Sequence, residues 1–123
     1  RGLQSDRALN GLGVSMPSKF NRRSIRYNFS APVDVSLTQR RIAYGTLIDI
    51  SVDGIGFKAS PPLVVGETYL VSIREISAFQ CKIMHCSSYN RYGARLLLSD
   101  NRKRRLAQRL EAAVQELGLK PSD

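Results

Sequence analysis

Arg22 and Arg26 stand four residues apart in the run Arg22-Arg23-Ser24-Ile25-Arg26. That spacing puts both side chains on one side of a helical or an extended backbone. Two guanidiniums side by side repel unless an anion lies between them. Each presents a planar donor fork suited to phosphate oxygens or to the O6/N7 edge of guanine. Each can also stack on a purine face. A second cluster follows at Asp49-Ile50-Ser51-Val52-Asp53-Gly54. In a regular strand Asp49 and Ser51 share a face with Gly45 and Leu47. A carboxylate accepts two hydrogen bonds, which matches the N1–H and N2–H₂ donors of guanine, and a hydroxyl beside it donates or accepts. Gly45 leaves room for something flat, and Gly54 permits a positive φ at a sharp turn.

Taken alone, each cluster fits a bland alternative better. Blocks of like charge are usually solvated linkers, and Asp-Gly turns are abundant in ordinary hairpins. Other chemistry has less support. His85 is the only histidine, and strand alternation separates it from any serine or cysteine that could form a dyad with it. A lone histidine in an apolar strand is more often structural. No paired catalytic carboxylates, phosphate-binding P-loop or dinucleotide-binding glycine fingerprint occurs. The chain is therefore not expected to be an enzyme. Cys81 and Cys86, the only cysteines, fall on opposite faces of an extended strand and are expected to be unpaired. With His85 they match no common zinc spacing, so no metal is expected. Reduced cysteines suit a cytoplasmic domain, and that is the expected location.

The elements that must hold these residues are mostly strands. Residues 1–19 mix Gly, Ser, Asn and Pro with isolated apolar positions, the pattern of a flexible leader or linker ahead of a domain over residues 20–123. Pro32 to Thr38 reads as a strand with Val33, Val35 and Leu37 on one face. Ile42, Tyr44, Thr46, Ile48 and Ile50 then alternate with Ala43, Gly45, Leu47, Asp49 and Ser51. Strand patterns follow at Gly54–Ala59, Tyr69–Ile73, Phe79–Ser87 and Tyr92–Leu98, separated by Pro61-Pro62 and by Gly66-Glu67. The period then changes. Leu106, Ala107, Leu110, Ala113, Val114 and Leu117 form one helical face. Ser99 or Asp100 caps its start, and Gly118 ends it. The expected fold is a mostly β, six-stranded antiparallel β-barrel with a C-terminal amphipathic helix over one opening or flank.

The chain has 123 residues and a formal net charge of +9. Residues 1–41 carry eight Lys/Arg against two Asp, and a second basic focus lies at Arg102-Lys103-Arg104-Arg105. Such a balance attracts anions: nucleic acid, acidic membrane surfaces or phosphorylated ligands. Four cations in a first helical turn oppose the helix dipole. Either an anion relieves them, or the end is solvated with Asp100 and Asn101 offsetting part of the charge. No run of about 18 apolar residues appears.

In their order and separation, R-x-x-x-R at Arg22–Arg26 and D-x-S-x-x-G at Asp49–Gly54 resemble the PilZ domain. The resemblance covers roughly residues 20–117. It implies a bacterial receptor for the second messenger cyclic di-GMP, held on the outside of a small β-barrel. It carries ligand contact to Arg22, Arg26, Asp49, Ser51 and Gly54. Asn21 precedes the first arginine at a variable position that bears on ligand stoichiometry, and Arg23 is an extra arginine inside the motif. Gly56 extends the Gly-x-Gly that often follows. Tyr92-Gly93-Ala94-Arg95-Leu96 resembles a later glycine-containing strand, with Arg95 either reaching the ligand or having no ligand role. The implied action is rearrangement of the arginine loop. That movement would regulate an attached or bound protein output such as exopolysaccharide synthesis or motility. No cofactor and no nucleic acid are expected, and membrane association only through a fused or partner protein. The rival readings are a small basic barrel for single-stranded nucleic acid and a PilZ-like protein adaptor.

Overall fold

The computed structural model describes residues 25–122. The expected leader and the positions Asn21, Arg22 and Arg23 lie outside the described residues. Strands β1 (Tyr27–Leu37), β2 (Arg40–Ile50), β3 (Gly54–Ser60), β4 (Thr68–Ile73), β5 (Ser77–Ser87) and β6 (Arg91–Leu96) precede helix α1 (Asp100–Leu117) and a two-residue strand β7 (Lys120–Pro121). All pairings are antiparallel. The order β2–β3–β6–β5–β4–β1 closes on itself through β1–β2. The expected six-stranded barrel with its C-terminal helix is therefore present, and β7 adds a short strand beside Tyr27 and Asn28.

Inward residues of every strand fill the barrel. Val33, Val35, Leu47, Ile50, Ile55, Phe57, Val71, Cys81 and Ile83 are fully buried. Phe57 and Tyr92 are cross-strand partners whose rings pack with centroids 5.7 Å apart. Leu63, on the loop between β3 and β4, is buried, and its N–H donates to the Tyr92 hydroxyl at 2.8 Å. Helix α1 covers the opposite opening. Leu106, Leu110 and Ala113 are its buried residues and join the core. Ser99 is the N-cap, its side chain accepting from Arg102 N, and Gly118 ends the helix in the left-handed region at φ 77°. Lys103 reaches Asp53 in the β2–β3 turn at 3.3 Å, and Arg109 Nη2 donates to the Glu75 carbonyl in the β4–β5 turn at 2.7 Å. The basic first turn is thus offset partly by Asp53 of the barrel, which a sequence window could not reveal. Among the described residues no helix is long and apolar enough to cross a membrane.

Three readings of the strands need correction. The first strand starts at Tyr27, not Pro32. A proline donates no ladder bond, so it sits in a strand only where its nitrogen needs no partner. Here Pro32 points outward, and pairing with β4 begins only at Val33. Leu37 lies past the core at the barrel's end and is exposed.

The second correction concerns β2. Its inward set begins with Ala43 and Leu47, while Tyr44 is exposed. A bulge then changes the phase. Leu47 pairs with Phe57 but Asp49 pairs with Gly56, so Ile48 is an extra residue. Without it Asp49 would point into the barrel. With it, Ile50 turns inward and Asp49 outward. The simple alternation that put Asp49, Ser51, Gly45 and Leu47 on one face therefore fails.

Third, Gly45 does not leave space for a ligand. A side-chain carbon there would overlap the Lys58 carbonyl of β3.

Candidate functional site

Four outward positions form one row across four strands. Asp49 on β2 pairs with Gly56 on β3, Gly56 with Gly93 on β6, and Gly93 with His85 on β5. Three strand spacings of about 4.8 Å separate the ends, so the row spans about 14 Å. Its middle has no side chains. A Cβ at Gly56 would lie 2.6 Å from Asp49 Oδ1, and a Cβ at Gly93 would collide with the His85 imidazole. The two glycines thus make a flat backbone floor whose ends are overhung by a carboxylate and an imidazole.

Cations flank the floor. On one side the outward row is Gly54, Arg95 and Lys82; on the other it is Lys58 and Arg91. Arg26, just before β1, reaches across. Its Nη1 donates to Asp49 Oδ1 at 2.7 Å, with the two side chains 41 % and 23 % exposed. The Arg26 carbonyl is held from behind by the N–H of Ser122, at 2.7 Å. A cleft of about 380 Å³ results, lined among others by Arg26, Asp49, Gly56, His85, Arg91 and Arg95.

The D-x-S-x-x-G residues divide their work. Asp49 faces the cleft. Ser51 is 2 % exposed, and its Oγ accepts from Asp53 N and Gly54 N, each at 3.2 Å. Its own N–H donates to the Gly54 carbonyl at 2.9 Å. Ser51 therefore builds the turn between β2 and β3. Among the described residues the positive-φ glycines are Gly66 and Gly118, and Gly54 is not one of them. What it supplies is close approach: a Cβ there would meet the Ala94 carbonyl at 2.7 Å. Arg26 Nη2 lies beside the same point, 3.7 Å from it.

The fold therefore brings Arg26, Asp49, Gly54 and Arg95 to one face, with Ser51 beneath. Arg22, Arg23 and Asn21 lie outside the described residues. Reasoning from sequence missed His85 and Arg91. His85 looked internal because Phe79, Cys81, Ile83 and His85 follow one another at a period of two. Cys81 and Cys86 are both free, the first buried and the second exposed. Burial pushes the Cys81 thiol up to about 12.

A family model, the PilZ domain, matches residues 20–113. No curated protein matches by sequence. Among solved structures, the chain is similar to the PilZ domain, with c-di-GMP, of YcgR from Escherichia coli. That match has 19 % identity and TM-score 0.58, and covers 79 % of this chain and 93 % of the other. The PilZ domain of CeSA from a cellulose-synthesizing bacterium matches at 20 % identity and TM-score 0.55, over 73 % and 97 % of the two chains. The Bacillus subtilis inhibitor of motility, MotI/DgrA, matches at 14 % identity and TM-score 0.53, over 80 % of this chain and 53 % of that one. The chain belongs to the PilZ domain family.

Proposed function

We propose that this PilZ domain is a cyclic di-GMP receptor whose ligand lies on the glycine floor between Asp49 and His85. The observation that carries the reading is the Arg26–Asp49 contact beside that floor. It joins an arginine fork to a guanine-complementary carboxylate at one edge of a cation-flanked cleft. The solved relative with c-di-GMP bound supports the same ligand.

Asp49 would accept from guanine N1–H and N2–H₂. Its two oxygens have capacity for those donors beside the Arg26 bond. With the Asp49 and His85 side chains swung aside, the floor would let a planar base approach the backbone. Arg26 and Arg22 would grip phosphate or the O6/N7 edge as arms of one arginine loop, with Arg95 on the flank and Asn21 and Arg23 beside Arg22 in sequence. Like-charged arginines brought together by an anion give a natural switch. Closing this loop on the ligand would alter a fused or partner protein. The relatives described above suggest polysaccharide synthesis or motility as the output.

Calorimetric titration with cyclic di-GMP, cyclic di-AMP and a single-stranded oligonucleotide tests the reading. Tight binding of cyclic di-GMP alone is expected. Adenine lacks the donors that Asp49 would accept, so that carboxylate would be left unpaired. Equal affinity for cyclic di-AMP overturns guanine recognition. Preference for the oligonucleotide favours a nucleic-acid barrel, and no binding to any favours a protein adaptor.

A further inference from the structure

We propose that His85 is a ligand-contacting residue, its imidazole Nε2 donating a hydrogen bond to an acceptor on the end of the ligand remote from Asp49. The inference rests on the reading of this face as a cyclic dinucleotide site.

The backbone makes the case. Ile83 pairs with Ala94 but His85 pairs with Gly93, so Met84 is an extra residue in β5. Phe79, Cys81 and Ile83 point inward and are buried. Without the bulge His85 would follow them into the apolar core. With it, His85 is exposed and lines the cleft. The bulge in β2 does the same for Asp49. Two bulges, one on each strand flanking the β3–β6 pair, thus turn the two polar ends of one row outward. Bulges commonly re-aim side chains beside functional sites.

The orientation of the ring completes the argument. Nε2 and Cε1 are the atoms nearest to where a Gly93 side chain would begin. The nitrogen-bearing tip therefore leans over the floor and not away from the barrel. Neutral imidazole carries one N–H donor and one acceptor. Asp49 already accepts at the near end, and a cyclic dinucleotide also offers phosphate oxygens and purine O6/N7 acceptors. A donor at the far end complements them.

Titration of His85→Ala, His85→Gln and His85→Phe with cyclic di-GMP decides, with urea unfolding of each variant as the control for folding. His85→Ala should bind roughly threefold to tenfold more weakly, as for the loss of one neutral hydrogen bond. Its urea midpoint should be unchanged, because the side chain is exposed. His85→Gln, which keeps a donor, should recover part of the loss, and His85→Phe should not. Wild-type affinity in His85→Ala overturns the inference while leaving the receptor reading intact. Recovery by Phe and not by Gln overturns the hydrogen bond. Failure of the wild-type chain to bind cyclic di-GMP overturns both.

Discussion

Arg26 Nη1 donates to Asp49 Oδ1 at 2.7 Å, so an arginine of the first motif and the carboxylate of the second already touch. The two are 23 residues apart in the chain. They meet because β1 pairs with β2 in a register that sets Asn28 opposite Asp49, two residues from Arg26. Both side chains stay partly open to solvent, so the pair adds little to stability, about 0–1 kcal/mol. Its value is to hold an arginine fork and an acceptor together at the edge of the floor.

That separates affinity from stability at Arg26. Arg26→Ala should weaken cyclic di-GMP binding by about 1.5–3 kcal/mol, the range for hydrogen bonds to charged groups. Its urea midpoint should barely move. Arg40→Ala and Arg41→Ala make the same charge change at the far end of β2 and should cost much less binding. Equal losses at all three positions, read by calorimetry, would mean diffuse electrostatics.

Two glycines should behave oppositely. At Gly45 a Cβ would strike the Lys58 carbonyl and lie 2.8 Å from Ala59 Cα, both backbone. Gly45→Ala should therefore destabilise by about 1–3 kcal/mol, the usual cost of overpacking. At Gly56 the three atoms nearest a Cβ all belong to the Asp49 carboxylate, which can swing. Gly56→Ala should keep the urea midpoint near wild type yet raise the floor, weakening binding by roughly tenfold, about 1.4 kcal/mol.

Ser51 should show its role without ligand. Its Oγ accepts from Asp53 N and Gly54 N. Ser51→Ala leaves those N–H groups without that acceptor, at a cost of about 1–3 kcal/mol. Urea unfolding of the ligand-free variant measures this. An unchanged midpoint would assign Ser51 to the ligand and not to the turn.

The Cys81 thiol gives stability a pH dependence. Burial raises it from an ordinary 9.0 to about 12. In the unfolded chain it ionises near 9, while in the folded chain it stays neutral. Its contribution is therefore complete below about pH 9 and is lost as pH rises from about 9 toward 12. Urea midpoints across this range should fall less steeply for Cys81→Ala than for wild type. Parallel slopes would show that the burial is not felt. In the same samples maleimide should label exposed Cys86 quickly and Cys81 only on unfolding.

Much of the barrel could be read from local pattern. Alternation over Tyr69–Ile73 and Phe79–Ile83 marks strands because side chains there obey a period of two. Leu106, Leu110 and Ala113 mark the helix by a period near 3.6, with Ser99 and Gly118 at its ends. The motif residues Arg26, Asp49, Ser51 and Gly54 were visible by type and spacing, since short polar signatures survive in one dimension. What only the tertiary structure decided is where those side chains point. One extra residue at Ile48 moved Asp49 from interior to surface, and one at Met84 did the same for His85. A bulge leaves no composition signal, because it exists only relative to the register of a partner strand. For that reason the sequence showed a polar cluster and an unremarkable histidine. Only strand pairing set them at opposite ends of one glycine floor.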